Sequence, residues 1–441
     1  MNKKVGMFVW NHFTNDARVL RECTALSENG YSVELFCIED TNNPSLPKYE
    51  NINHHFHVIR VREHPLLLVF IKKVSHLCMK NKLILAVSAL FWFMMFFLMP
   101  FTVSLFSVII FLFTKTKLNM FWIRASIMYR MILRGWKGNY DIYHSNDLNT
   151  LIQGYIGAKW RWKKRQLLYD SHEVQTSRTG YNSRLFGIIE AFLIHRVDQM
   201  IVENHTRAKY NEKIYGFYPN VVHNYPFKQE IHDQREAPLH QILGIPSTEK
   251  ILLYQGGIQE GRGLDKLIKA APLFSEGVLV FIGDGNMKPA LELLVEKMKL
   301  QDKVKFLPKV PLKELPEYTR NAYIGFQVLN NVCFNHYSAS SNKLFEYLMA
   351  GVPVVACSFP EIQRVVEKEK VGICIDSHDF QDIAFGVNFI LENTKVHDEM
   401  KRNCFRASKN YNWETEKHKL LSTYSSLFER IQSGGQLRES Y

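Results

Sequence analysis

Ser338–Cys357, SASSNKLFEYLMAGVPVVAC, decides how the rest of the chain is read. Ser341 or Asn342 stands where a helix N-cap belongs. Lys343 to Ala350 forms a short helix, Gly351 suits a left-handed C-terminal residue, and Pro353 forbids continuation. Val354 to Cys357 then predicts a buried strand. In such a helix Lys343 and Glu346 lie one turn apart near the N-terminus, where unpaired N–H groups and the helix dipole favour an anion. The stretch predicts a phosphate seat with a carboxylate beside it; a surface Lys–Glu pair opening an ordinary helix is the other reading it allows.

The segments before it fit the first reading. Ile251 to Tyr254 is a strand, followed by Gln255-Gly256-Gly257-Ile258-Gln259-Glu260-Gly261-Arg262-Gly263 and the helical LDKLIKAAPLF. Glycines let a backbone approach a pyrophosphate, and Arg262 offers it forked donors; a tight turn alone would also explain the glycines. Further strands are predicted at Val278–Ile282, which ends in Gly283-Asp284-Gly285, and at Val304–Leu307, Ala322–Val328 and Gly372–Asp376. The N-terminal half repeats the alternation, with strands at Lys4–Val9, Tyr31–Ile38, Phe56–Val61, Asp141–His144, Leu167–Asp170 and Gln199–Glu203. The class is α/β, with two doubly wound domains.

Composition agrees with two cores: 441 residues, 46% of them apolar, exceed what one ordinary core holds. Seven cysteines lie far apart without a CxxC pair, which predicts reduced thiols of a cytoplasmic protein and no zinc site. No cleavable signal peptide is expected, because MNKKVGMFVW runs straight into a strand. The net charge of +12 is local. Arg60 to Lys137 holds twelve Lys/Arg and one acid, Glu63, so eleven of the twelve charges lie there. They flank Leu83 to Thr114, an uncharged apolar run with Pro100 near its middle. A membrane surface explains this better than nucleic acid does. A single span needs about 20 residues, so the run is long for one crossing and short for two. Strands on both sides of it should share one sheet, which predicts a re-entrant hairpin or monotopic insert bending near Pro100. A wholly buried helix pair is the alternative.

SNKLFEYLMAGVPVVA resembles the donor-binding signature of retaining glycosyltransferase family 4, whose members have the GT-B fold and take sugar from a nucleotide sugar. The resemblance implies two Rossmann-like domains, 1–224 with the insert 83–114 and 225–410, and a helix 411–432 crossing back to the first. It implies that Glu346 holds the ribose hydroxyls and that the helix start, Asn342, Lys343 and Leu344, receives the diphosphate together with Gly256, Gly257 and Arg262. The family usually has a second glutamate eight positions before Glu346, where this chain has Ser338, and an arginine where it has Gly257. YDSHE resembles the family segment whose histidine, here His172, lies between donor and acceptor; a structural role is the other reading. Asn15-Asp16-x-Arg18 resembles the first loop, which faces the acceptor, though Arg18 also reads as a solvated first-turn residue. The activity implied is metal-independent hexosyl transfer to an acceptor, expected to be a lipid-linked saccharide of bacterial surface-polysaccharide assembly, at the cytoplasmic face of the inner membrane. A non-hydrolysing sugar-nucleotide epimerase of the same fold, or a catalytically silent partner subunit, are the alternatives.

Overall fold

The computed structural model describes residues 3–14, 16–174, 184–229 and 238–433. Asn15 lies outside them. The chain forms two compact units: Met1–Asp170 with Glu190–Met200 and Ser425–Ser440, and Ser171–Ile189 with Ile201–Tyr424 and Tyr441. The last helix, Trp413–Gln432, contributes its start to the second unit and its end to the first, where Phe428 packs on Tyr31.

Eight strands form the first sheet: β1 Lys3–Phe8, β2 Tyr31–Ile38, β3 Tyr49–Asn53, β4 Phe56–Val61, β5 Ile142–Asn146, β6 Gln166–Ser171, β7 Gln199–Val202 and β8 Asn220–Val221. Their order is β3-β4-β2-β1-β5-β6-β7-β8. β1, β2, β4 and β5 pair in parallel, and β1 and β5 are neighbours where the order reverses. β3 was not expected. It is a mostly exposed, polar edge strand antiparallel to β4, joined to it by a tight turn.

The second sheet, β9 Ile251–Gln255, β10 Val278–Ile282, β11 Val304–Leu307, β12 Ala322–Gln327, β13 Val354–Cys357 and β14 Gly372–Ile375, runs β11-β10-β9-β12-β13-β14 and is parallel throughout. Helices cover both faces of such a sheet, so its inner strands are largely apolar, whereas the edge strand β11 carries Lys305. β9 and β10 are buried at every residue. Leu252, Tyr254 and Phe281 belong to one core layer, while Leu253, Val280 and Val354 belong to the other.

Between β4 and β5 the chain makes four helices, Leu66–Lys80, Lys82–Leu98, Pro100–Lys115 and Leu118–Gly138. The break falls at Met99, with Pro100 opening the next helix, where its missing N–H costs nothing. The alternative of a buried helix pair is overturned: neither Lys82–Leu98 nor Pro100–Lys115 contains a buried residue, and Phe101 is 91% exposed. No single helix among the described residues is long and apolar enough to cross a membrane. The first and second helices bend by 118° and the third and fourth by 80°. Leu118–Gly138 brings the chain back to the sheet. A Cβ on its Gly135 would stand 2.6 Å from the Phe8 ring, so glycine permits the approach.

Candidate functional site

The second sheet reverses order between β9 and β12, and ligands of such sheets bind beyond the carboxyl ends of the strands at that point. The loop after β9 is shaped by glycine. Gly256, Gly261 and Gly263 have φ of +124°, +77° and +69°. A Cβ on Gly283 would lie 1.9 Å from the Gly256 carbonyl oxygen, and one on Gly285 2.0 Å from that of Ile258. The Gly-Asp-Gly turn after β10 thus lies directly against the loop, and no side chain fits between them.

After β12 come the short helix Phe334–Tyr337 and then Asn342–Ala350, with Ser341 at the N-cap of the latter and no side-chain cap bond. Its C-cap Gly351 is left-handed at φ +68°. Lys343 is not a surface residue. Its Nζ donates to the Tyr254 hydroxyl at 3.1 Å and lies 4.2 Å from that ring's centre, and Tyr254 donates onward to the Gly257 carbonyl at 2.9 Å. The ammonium is therefore tied to the glycine loop. Burial pushes its pKa down to about 7; the positive Arg262 adds to the shift, and Glu346 opposes it. Glu346 accepts from Gln255 Nε2 at 2.6 Å, and Gln255 Oε1 accepts from Thr319 at 2.8 Å, which fixes the carboxylate's direction. The reading as a surface Lys–Glu pair is overturned. Asn342 Oδ1 is buried without a hydrogen-bond partner. Leu344 is 1% exposed and packs in the core, with its N–H given to the Ser341 carbonyl at 3.1 Å, so its side chain serves packing.

Arg207, on the helix His205–Tyr215 that Asn204 caps, was not anticipated. It is 4% exposed, and its Nε donates to Ser338 Oγ at 3.1 Å while Nη1 donates to the His172 carbonyl. Asn204 Nδ2 donates to the Ser338 carbonyl at 2.8 Å. Ser338 is 0% exposed, so the position where the resembled family carries its first glutamate is closed and bonded. Asn335 accepts from Val174 N–H at 2.9 Å and donates to its carbonyl at 3.2 Å, fastening the segment that holds His172. His336 lies against the loop, where a Cβ on Gly261 would stand 2.6 Å from its ring. Burial lowers its pKa, the Arg262 charge lowers it further, and Glu173 raises it.

In the first unit Asp16 caps the helix Ala17–Glu28 by accepting from Val19 N–H at 3.1 Å. The solvated reading of Arg18 is overturned. It is 6% exposed and forks onto Asp170 with bonds of 2.9 Å to each carboxylate oxygen, and it pairs with Glu22 at 3.0 Å. Glu22, His144 and Asp170 each bring a ligand atom within 4.8 Å of the others. The Arg18 guanidinium already supplies the positive charge those acids need.

Residues 236–407 match the family described as glycosyl transferases group 1. A D-inositol 3-phosphate glycosyltransferase of Thermobispora bispora is 22% identical over 320 residues, 67% of this chain and 72% of its own. Among solved structures, sucrose-phosphate synthase of Thermosynechococcus elongatus superposes with a TM-score of 0.70 at 16% identity, covering 97% of this chain and 99% of its own. HepE of Anabaena, in complex with UDP-glucose, superposes at 0.65 and 16% identity over 96% of this chain and 99% of its own. The fold is the GT-B fold of glycosyltransferases, and the second unit holds the segment that matches the group 1 glycosyl transferases.

Proposed function

We propose that the chain is a retaining, family 4-type glycosyltransferase that moves a hexose from a nucleotide diphosphate sugar to a lipid-linked saccharide in bacterial surface-polysaccharide assembly. The observation that carries this reading is the buried Lys343, bonded through Tyr254 to the glycine loop, with Arg262 in electrostatic reach and Glu346 one turn along. In the reaction the bond from C1 of the sugar to the diphosphate breaks, and its electron pair leaves with the phosphate oxygen. The acceptor hydroxyl bonds to C1 on the face just vacated and gives its proton to the departing diphosphate. Charge grows on the leaving group, and Lys343, Arg262 and the first N–H groups of Asn342–Ala350 stabilise it there. No divalent cation is needed for that task.

Glu346 binds the ribose hydroxyls, and His172 hydrogen-bonds the sugar between donor and acceptor. HepE, similar in fold, was solved with UDP-glucose, which makes uridine nucleotides the first to test. A monotopic or re-entrant seat on the cytoplasmic face of the inner membrane is part of the proposal, supported by the exposed apolar helices of 82–115 and their basic flanks. A screen of nucleotide sugars by thermal stabilisation identifies the donor. The reading stands if free nucleoside diphosphate is released only when a glycolipid acceptor is supplied, and it falls if no nucleotide sugar stabilises the protein.

A further inference from the structure

A cavity of 520 Å³ opens at the carboxyl ends of β2 and β4, lined among others by Glu39, Asp40, Thr41, Lys48, Arg62 and His64. Its size lies within the roughly 300 to 1,000 Å³ of small-molecule sites. We propose that it receives the saccharide head of an amphiphile whose chain lies along the helix Leu66–Lys80, an inference that rests on the transferase reading and names its acceptor subsite.

Position is the first ground. Val69 lines the cavity too, and on the same first turns of that helix Leu66, Leu67 and Phe70 are 66%, 59% and 64% exposed. A chamber that mixes charged side chains with Pro44, Leu46 and Pro47 thus sits at the root of the apolar insert, the arrangement a molecule with one wet and one oily end requires. Built walls are the second ground. Arg130, from the helix that returns to the sheet, donates to the Arg62 carbonyl at 2.8 Å and to the His64 carbonyl at 3.5 Å. Thr41 donates to Glu63 at 2.8 Å, and Lys48 pairs with Glu39 at 3.6 Å.

Chemistry selects the head. An anionic group would meet the carboxylates of Glu39 and Asp40, whereas a neutral head rich in hydroxyls uses them as acceptors and Lys48 and Arg62 as donors. His64 lines the cavity, and its Nδ1 is buried without a hydrogen-bond partner, so the ring must turn before that atom meets an occupant.

The full chain in lipid nanodiscs is titrated with hexyl β-glucoside, hexyl phosphate, hexanol and glucose, without nucleotide, and binding is read by saturation-transfer NMR. Hexyl glucoside should bind saturably and at least about tenfold more tightly than hexyl phosphate or glucose. Asp40→Ala, Arg62→Gln and His64→Ala, each shown to be folded by its melting transition, should weaken it by about tenfold, the scale of one or two lost hydrogen bonds. Preference for hexyl phosphate, or unchanged binding in the three variants, overturns the proposal. Failure of the transferase reading shows elsewhere, as a wild-type protein that no nucleotide sugar stabilises.

Discussion

If Lys343 holds the diphosphate as proposed, nucleotide binding should depend on pH in a direction opposite to the free protein's stability. In the free protein its pKa is about 7, so about half of the molecules carry the charge at pH 7 and roughly a hundredth at pH 9. A diphosphate beside the ammonium restores the proton, and the bound-state pKa lies above the free one. Affinity is then greatest below pH 7 and falls as pH rises, by up to about fifty-fold or ~2.3 kcal/mol between pH 7 and pH 9, the limit reached when the bound-state pKa lies well above 9. Folding runs the other way. The native state sheds this proton before the unfolded chain does, so the unfolded chain binds more protons above pH 7 and stability gains from the rise. The assay is calorimetric titration with uridine diphosphate in phosphate and in Tris, whose differing ionisation heats reveal proton uptake. Above pH 8 the nucleotide's own phosphate is fully ionised, so nearly one proton taken up per binding event belongs to the protein. Lys343→Met keeps an unbranched apolar stem without the ammonium and should abolish both the uptake and the pH slope. Equal uptake in wild type and variant, or none in either, refutes the argument.

Arg262→Ala should weaken uridine diphosphate by about 1.5 to 3 kcal/mol, the scale of a charge-assisted hydrogen bond, as measured by the same titration. Gly283→Ala places a methyl 1.9 Å from a backbone oxygen, so the glycine loop must move; a melting-temperature drop with weaker nucleotide binding is expected, and an unchanged protein would contradict the packing. His172→Ala should lower kcat far more than donor affinity, and EDTA should leave turnover unaffected; reactivation by a divalent ion would remove phosphate binding from the arginine, lysine and helix dipole. Replacing 83–114 by a short polar linker should release the protein from membranes while uridine diphosphate still stabilises it, as read by flotation and thermal shift. Continued flotation would move the membrane contact elsewhere.

What could be read from sequence depended on how local its cause is. The inner parallel strands of the second sheet were legible because burial on both faces makes them largely apolar runs such as ILLYQ and VLVFI. β3, YENIN, was not, since an exposed edge strand has no apolar signature and is held only by its pairing to β4. Within the site, the spacing of Lys343 and Glu346 and the glycines after β9 announced themselves within a few residues. Arg207 and Asn335 did not. Arg207 acts on Ser338, 131 positions away, and Asn335 on Val174, 161 positions away, and no local pattern encodes such pairs.

Burial of Lys343 shows the same limit most sharply. A lysine in a helix's first turn is exposed by default, and only the order of the sheet, which sets β9 beside β12, brings the Tyr254 ring against it. The insert marks the opposite case. Pro100 and the absence of charge foretold a break and an apolar surface, because proline at the first position of a helix and uncharged runs are local facts. That both ends of the insert meet one sheet adds what the run alone could not: β4 and β5 share that sheet, so whatever depth the four helices reach, the chain must return to the side it left. Length therefore does not decide between crossing and dipping. The shared sheet excludes a single crossing and leaves an even number or none.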